Sequence, residues 1–527
     1  MKALTVSTVK SAPRLKQHSL LRSTSLFSGM TLLSRILGFV RDMMIARLFG
    51  AVAGVDAFFV AFKIPNFMRR LFAEGAFSQA FVPVLSSYQQ QYEHEQVRHF
   101  ISRIAGTLGV ILLLLTVVVV IATPIFIRIF APGFEVGSSR YDLASYMLKI
   151  TFPYLMLISL TALAGAVLNT YGRFGAPAFT PVLLNIAMIL AALYLAPLMA
   201  EPITALAWGV LLAGIVQLAF LLPFLIRLRL LVWPKFAWRD PGVQRVLKLM
   251  TPALLGVSVA QVNLLIDTLF ASFLPVGSVS WLYYSDRLMN FPLGVFGVAI
   301  ATVILPHLSR QHATQLHEQY SRSLDWAVRS ILVIGVPAAI GLFVLAGPLL
   351  ATLLGYGHFT DFDVKQTRLS LMAFAFGVPA FMLIKVFASG FYARQNIKTP
   401  VKIAVVAMVI NIVLNLLLIG PLAHAGLALA TTVSAFLNVL LLWWLLIQRQ
   451  IYQLQAGWVK FMVQLTLASI AMWLWLWWAS PELTTWLDWR SWQRLSQLAM
   501  VIVGAVAVYT MSLFVLGVRW RDFHGKF

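Results

Sequence analysis

Cysteine is absent from this chain, and only 11% of its 527 residues are charged, where a soluble domain carries about 25%. The missing thiols exclude disulfides, thiolate metal centres and cysteine nucleophiles. Acids are scarcer still: 18 Asp and Glu stand against 40 Lys and Arg, a net charge of +22. No nucleophile–base constellation stands out, so a transporter is expected rather than an enzyme. What abounds is apolar. Hydrophobic residues make up 60% of the chain, in recurring runs of a length that crosses the roughly 30 Å hydrocarbon core as a helix. The fold class is therefore an all-α polytopic membrane protein. In a soluble chain the positive balance would suggest nucleic acid. Here basic loops on one side of a membrane account for most of it, and no nucleic acid partner is expected.

About fourteen spans are predicted, near 24–50, 54–88, 101–131, 143–169, 177–198, 203–226, 247–274, 277–308, 324–350, 368–394, 399–420, 424–447, 458–479 and 495–518. Lys and Arg divide the loops. One side takes Arg98, Arg103, Arg227, Arg229, Lys235, Arg310, Arg322, Lys398 and Arg449, with both chain ends. The other takes only Arg128, Arg140, Lys365, Arg368, Arg490 and Arg494. The bias predicts cytoplasmic termini. The first 22 residues are basic, but the next segment is long, contains Arg35 and Arg41 and lacks a small-residue cleavage site. It reads as a retained helix rather than a cleaved signal. Trp473, Trp475, Trp477, Trp478 and Trp486 read as an interfacial belt.

An internal repeat sets the domains. Phe81-Val-Pro-Val-Leu-Ser86 reads like Ile304-Leu-Pro-His-Leu-Ser309, and Tyr171-Gly-Arg173 like Tyr392-Ala-Arg394, at offsets of 223 and 221. The offset spans six helices, an even number, so the two halves share one orientation in the membrane. The expected organisation is a basic tail (1–22), an N-lobe of six helices (23–230) and a C-lobe of six (231–450). A terminal pair (451–518) and a short cytoplasmic tail (519–527) complete it.

Cations remain after the loops are set aside: Arg35, Arg41, Arg47, Lys63, Arg69, Arg70, Arg287 and Lys385 fall inside spans. Each would cost about 2.5–3.5 kcal/mol at a lipid-facing helix centre, so they face water or acids. The acids Asp42, Asp56, Glu74, Asp267 and Asp286 are too few to neutralise them. The surplus predicts a cationic cavity, and arginine in particular suits phosphate, which it binds in bidentate fashion. Asp56, Lys63 and Arg70 are spaced by seven and share a helix face. Pro65 kinks that helix, so the spacing leaves both Arg69 and Arg70 open. Gly38 is expected to bend the first helix so that Arg35 and Arg41 reach one cavity.

The runs Ser34-Arg-Ile-Leu-Gly-Phe-Val-Arg-Asp42, Asp56-Ala-Phe-Phe-Val-Ala-Phe-Lys-Ile-Pro-Asn66 and Arg69-Arg-Leu-Phe-Ala-Glu-Gly-Ala-Phe-Ser-Gln-Ala-Phe-Val-Pro83 resemble the MurJ (MviN) lipid II flippases of the MOP exporter superfamily. So does Trp281-Leu-Tyr-Tyr-Ser-Asp-Arg-Leu-Met-Asn-Phe-Pro292. The resemblance implies two six-helix lobes around a central cavity, with the last two helices forming a groove for a polyprenyl tail. It implies undecaprenyl-diphosphate-linked disaccharide-pentapeptide as substrate, moved by alternating access across a bacterial inner membrane. A monomer working beside other cell-wall synthesis proteins is expected. Arg35, Arg41, Asp56, Arg69 and Arg287 match the family's required charged positions, and Lys63, Asn66, Glu74 and Asp286 complete the expected cavity. Asn290 departs from members that carry an acid there. Asp267, Asn411, Asn415 and Thr431 match a sodium site of some members. An oxygen-only set suits a hard cation, and interhelical hydrogen bonding accounts for the same residues. Coupling to sodium or to the membrane potential is therefore open. So are two other readings: a flippase for another polyprenyl-diphosphate glycan of O-antigen type, and a multidrug or ion antiporter of the superfamily.

Overall fold

The computed structural model describes residues 17–71 and 77–518. All regular structure among them is helical. The N-terminal half contains α1 (Gln17–Phe49), α2 (Ala53–Arg69), α3 (Ser78–Gln91), α4 (His94–Ile121), α5 (Thr123–Phe130), α6 (Ser139–Thr151), α7 (Tyr154–Thr170), α8 (Gly175–Leu190) and α9 (Thr204–Arg227). The second half contains α10 (Pro241–Ser272), α11 (Ser278–Pro292), α12 (Val298–Ala313), α13 (His317–Val344), α14 (Ala346–Leu353), α15 (Asp361–Tyr392) and α16 (Lys398–Gln448). The chain closes with α17 (Trp458–Ala479), α18 (Leu483–Asp488) and α19 (Ser491–Val515).

The repeat is visible in the elements. His94 and His317, Ile121 and Val344, Thr123 and Ala346, and Phe130 and Leu353 are each 223 residues apart, so α4–α5 and α13–α14 begin and end in register. Prolines set several breaks, because each removes a ladder donor and crowds the preceding turn. Pro153 separates α6 from α7, and Pro292 precedes a π-helical stretch over Leu293–Gly297 that leads into α12.

Ten helices are long and apolar enough to cross a membrane. One is the 51-residue α16, which folds back at Ala423 (φ 47°, ψ −130°). There Gly426 lies so close to the Leu418 carbonyl that a Cβ would collide with it. The expected count of fourteen rests on counting α16 twice and admitting α1, the α2–α3 pair and α10, whose charges lower their apolarity. In the first half α1 packs on α8, α2 on α6 and α7 on α9; in the second, α15 packs against α11, α13 and α16.

The terminal pair docks on the second half. Trp475 Nε1 donates to the Val501 carbonyl at 3.1 Å, and its ring covers Gly504, joining α17 to α19. The Tyr509 hydroxyl donates to Val333 O at 2.7 Å, joining α19 to α13. The expected tryptophan belt splits. Trp477 and Trp478 are exposed, whereas Trp486 is fully buried.

At the end away from the basic loops, the halves are fastened together. His358 N donates to Arg47 O at 3.0 Å, Arg140 Nη1 to Leu274 O at 3.1 Å, and Gly133 N to Ser272 Oγ at 2.9 Å. Gly50 and Gly357 permit the first of these contacts. Both have positive φ, and a Cβ on either would strike the facing backbone.

Candidate functional site

Two arginines from opposite halves meet on one carboxylate. Arg41 Nη2 lies 2.6 Å and Nε 2.9 Å from Asp42 Oδ1, and Arg287 Nε lies 2.7 Å from Asp42 Oδ2. Asp42 is fully buried and Arg41 7% exposed, while the Arg287 side chain keeps 39% of its surface open. Two residues orient the cluster. Tyr283 donates its hydroxyl to Asp42 Oδ1 and accepts from Arg41 Nη2, both at 3.1 Å, and stacks on Phe59 with centroids 3.8 Å apart. Asn185 accepts from Arg41 Nη1 at 3.1 Å and donates to the Ser34 carbonyl at 2.9 Å. One carboxylate therefore serves two guanidiniums, leaving a positive surplus whose open member is Arg287.

Arg35 is exposed, and its guanidinium lies over Gly294, where any side chain would occupy the same space. Among the described residues it forms no ion pair with an acid. The bend expected at Gly38 is absent: α1 runs unbroken through it. Gly38 instead allows close approach, because a Cβ there would stand 2.5 Å from Arg287 Nη2.

Deeper along α2, the Lys63 ammonium donates to Thr268 Oγ1 and interacts electrostatically with Asp267 and Asp286. Arg69 donates to Asn66 Oδ1 through Nε at 3.1 Å and Nη2 at 2.8 Å. Lys63, Asn66, Arg69, Asp267, Asp286, Arg287 and Asn290 are all half-buried. Polar groups partly wetted at membrane depth belong to an interior that admits water. Glu74 lies outside the described residues.

Asp56 departs from its expected place in the cavity. It is completely buried and its oxygens face the start of α11: Gly277 N donates to Oδ2 at 2.7 Å, Ser280 N to Oδ1 at 2.9 Å and Ser280 Oγ to Oδ1 at 2.6 Å. The free N–H groups and positive dipole end of a helix N-terminus attract a carboxylate. Asp56 thus ties α2 of the first half to α11 of the second, at the same end as the His358–Arg47 bond.

The four residues matched to a sodium site converge. Asp267 Oδ1 accepts from Asn411 Nδ2 at 3.3 Å and Asn415 Nδ2 at 3.2 Å, and Oδ2 accepts from Thr431 Oγ1 at 3.2 Å. The long bonds and the buried Asn415 Oδ1, which lacks a hydrogen-bond partner, fit a hard cation. Rotating the amide by half a turn would aim that oxygen at the shared centre. Lys63 faces the same carboxylate and offers the competing charge.

The sequence reading gave Asp42 no role beyond a nearby acid and passed over Asn185 and Tyr283. Only Tyr283 carried a signal, since it sits in the run that contains Arg287. Asn185 is one polar residue in an apolar span, which gives no direction.

Residues 45–493 match the family described as "Lipid II flippase MurJ". A protein of Vibrio cholerae serotype O1 named "Probable lipid II flippase MurJ" is 49% identical over 510 residues, covering 95% of this chain and 97% of its own. The solved structure of "Lipid II flippase MurJ, inward closed conformation" superposes with a TM-score of 0.77 at 26% identity, over 94% of this chain and 99% of that one. An inward-facing multidrug resistance MATE family transporter of the MOP superfamily shares the fold, with a TM-score of 0.65 at 13% identity over 81% of this chain and 97% of its own. An all-helical membrane fold, a cationic cluster between two repeated halves and near-full-length similarity agree: the chain belongs to the lipid II flippase MurJ family.

Proposed function

We propose that this multi-pass inner-membrane protein is a lipid II flippase that carries undecaprenyl-diphosphate-linked disaccharide-pentapeptide from the cytoplasmic to the periplasmic leaflet. The observation that carries the reading is Asp42 shared between Arg41 and Arg287, with Arg287 open to the interior.

The termini and basic loops face the cytoplasm. The end closed by Asp56 is then periplasmic, and the cavity receives substrate from the cytoplasmic side. The diphosphate meets Arg287 and Arg35, with Arg69 and Asn66 nearer the cytoplasm. Phosphate oxygens replace Asp42 as acceptors for Arg287, which loosens the contact between halves. Arg41, buried and held by Asn185 and Tyr283, keeps its orientation and supplies charge. The lipid tail stays in the bilayer beside α17 and α19, because drawing each CH₂ through water would cost about 0.8 kcal/mol. Rocking the halves breaks the Asp56–α11 bonds and opens the outer side. Asp267, Asn411, Asn415 and Thr431 would hold a sodium ion, whose charge would replace that of Lys63 at Asp267. The membrane potential can contribute about 2.3 kcal/mol per charge per 100 mV. The chain works as a monomer, alongside the enzymes that make and consume its substrate. The cationic interior favours this reading over a cation antiporter.

The test is Arg287→Gln in proteoliposomes carrying lipid II in one leaflet. Loss of one charge-assisted contact of about 1.5–3 kcal/mol predicts at least a tenfold slower translocation. Arg287→Lys should recover only part of it, because a bidentate fork is lost. Unchanged transport by a normally folded variant refutes the assignment.

A further inference from the structure

A second cationic space lies far from this cluster, where α13, α17 and the end of α19 meet near the basic loops. Its volume is about 400 Å³, and its lining includes Arg322, Arg329, Lys460, Phe461 and Gln464. It is built rather than incidental. Arg329 Nε lies 2.8 Å from Asp325 Oδ2, its Nη2 donates to Ala456 O at 3.1 Å, and its guanidinium stacks over Trp458 and Phe461. Tyr452 and Trp458 each donate to Asp325 Oδ1 at 2.7 Å, so this buried acid is fully engaged and does not repel an incoming anion. Arg322 pairs only with exposed Glu318, a weak surface contact. Lys460 is exposed and has no acid partner among the described residues.

Below it, along the same seam, α13 and α17 enclose an apolar groove of about 320 Å³ lined by Val336, Ile340, Leu465, Thr466, Ile470 and Trp473. The two spaces are one helical turn apart on α17, where Phe461 and Gln464 face the first and Leu465 the second. From Lys460 to Trp473 the seam runs about 20 Å at 1.5 Å per residue, comparable with the roughly 15 Å hydrocarbon thickness of one leaflet.

We infer that this seam is a binding site for one anionic glycerophospholipid, its phosphate among Arg322, Arg329 and Lys460 and an acyl chain in the groove. Charge complementarity selects the head, and the single-leaflet length selects a lipid that stays in its leaflet over one that crosses. The inference does not depend on which lipid-linked glycan is transported.

The full-length protein in uncharged detergent is titrated with dioleoylphosphatidylglycerol, and in parallel with dioleoylphosphatidylcholine, and bound lipid is counted by native mass spectrometry. Phosphatidylglycerol should bind at least tenfold more tightly. Arg322→Gln combined with Lys460→Gln should weaken it about ten- to thirtyfold, at about 1 kcal/mol per basic residue near a membrane surface. Thr466→Trp, which fills the groove and leaves the charges in place, should weaken both lipids. Lys460→Gln alone, at an exposed position, keeps the test valid if the double variant unfolds. Equal binding of the two lipids, or unchanged binding by Lys460→Gln, overturns the site. Displacement of phosphatidylglycerol by an equimolar amount of undecaprenyl phosphate overturns the assignment to a glycerophospholipid.

Discussion

A buried carboxylate between two guanidiniums is held by all three charges together, so removing the shared member has the largest effect. Asp42→Asn leaves Arg41 and Arg287 facing each other with no counter-charge. Breaking a buried ion pair in this way costs about 3–5 kcal/mol. The expected outcome is a markedly lower melting temperature in detergent. Arg41→Gln added to Asp42→Asn should recover part of the loss, because one orphaned charge is gone. An additive double variant would mean that the two side chains do not act as a unit. The cations of this cluster were legible in the sequence, because charge inside an apolar span stands out by itself. The pairing was not, since Asp42 and Arg287 lie on different halves and nothing local to either names the other. Asp56 shows the same limit. Its helix face was read correctly, but an acid in a span carries no mark that says whether it faces water or a helix N-terminus.

Helix ends are where this structure changes identity between halves. The start of α11 presents backbone donors to Asp56, and the 356–358 loop presents one to Arg47. These bonds hold the outer side shut, and the strongest are those to the charged acceptor. Asp56→Ala removes two backbone hydrogen bonds and one hydroxyl bond from a carboxylate, each worth about 1.5–3 kcal/mol. The population should therefore shift toward the outward-open state by more than tenfold. The absence of native cysteine makes the measurement direct. A single cysteine at half-buried Asn290 should react faster with a membrane-impermeant maleimide added from the periplasmic side in Asp56→Ala than in the parent. Equal rates would show that the α2–α11 tie does not control the outer opening. At this scale the sequence foretold helices well and their breaks unevenly. Pro153 and Pro292 announced theirs. The reversal at Ala423 had no glycine to announce it and costs about 1–3 kcal/mol in an unfavoured backbone region, which the packed hairpin of α16 sustains.

Across the whole molecule, α10 is the element that belongs to both halves. Its first turn packs into the first half, where Gly242 sits against Tyr88 and Phe100 with no room for a side chain. Twenty-five residues on, Asp267 joins it to α16 of the second half. Anything that tightens Asp267 onto α16 therefore fixes one end of a rod whose other end is held by the opposite lobe. A bound sodium ion would do this, and binding to the folded state alone raises stability by RT ln(1 + [L]/Kd). The melting temperature should rise by a few degrees when choline chloride is replaced by sodium chloride at equal ionic strength. About 1 kcal/mol follows once the ion is a few times its Kd. Asp267→Asn should abolish the rise and leave the response to choline unchanged. If parent and variant respond to sodium alike, the four side chains are an interhelical hydrogen-bond cluster. The rod is then fixed by packing, and the driving force comes from the potential acting on the cationic cavity and its substrate.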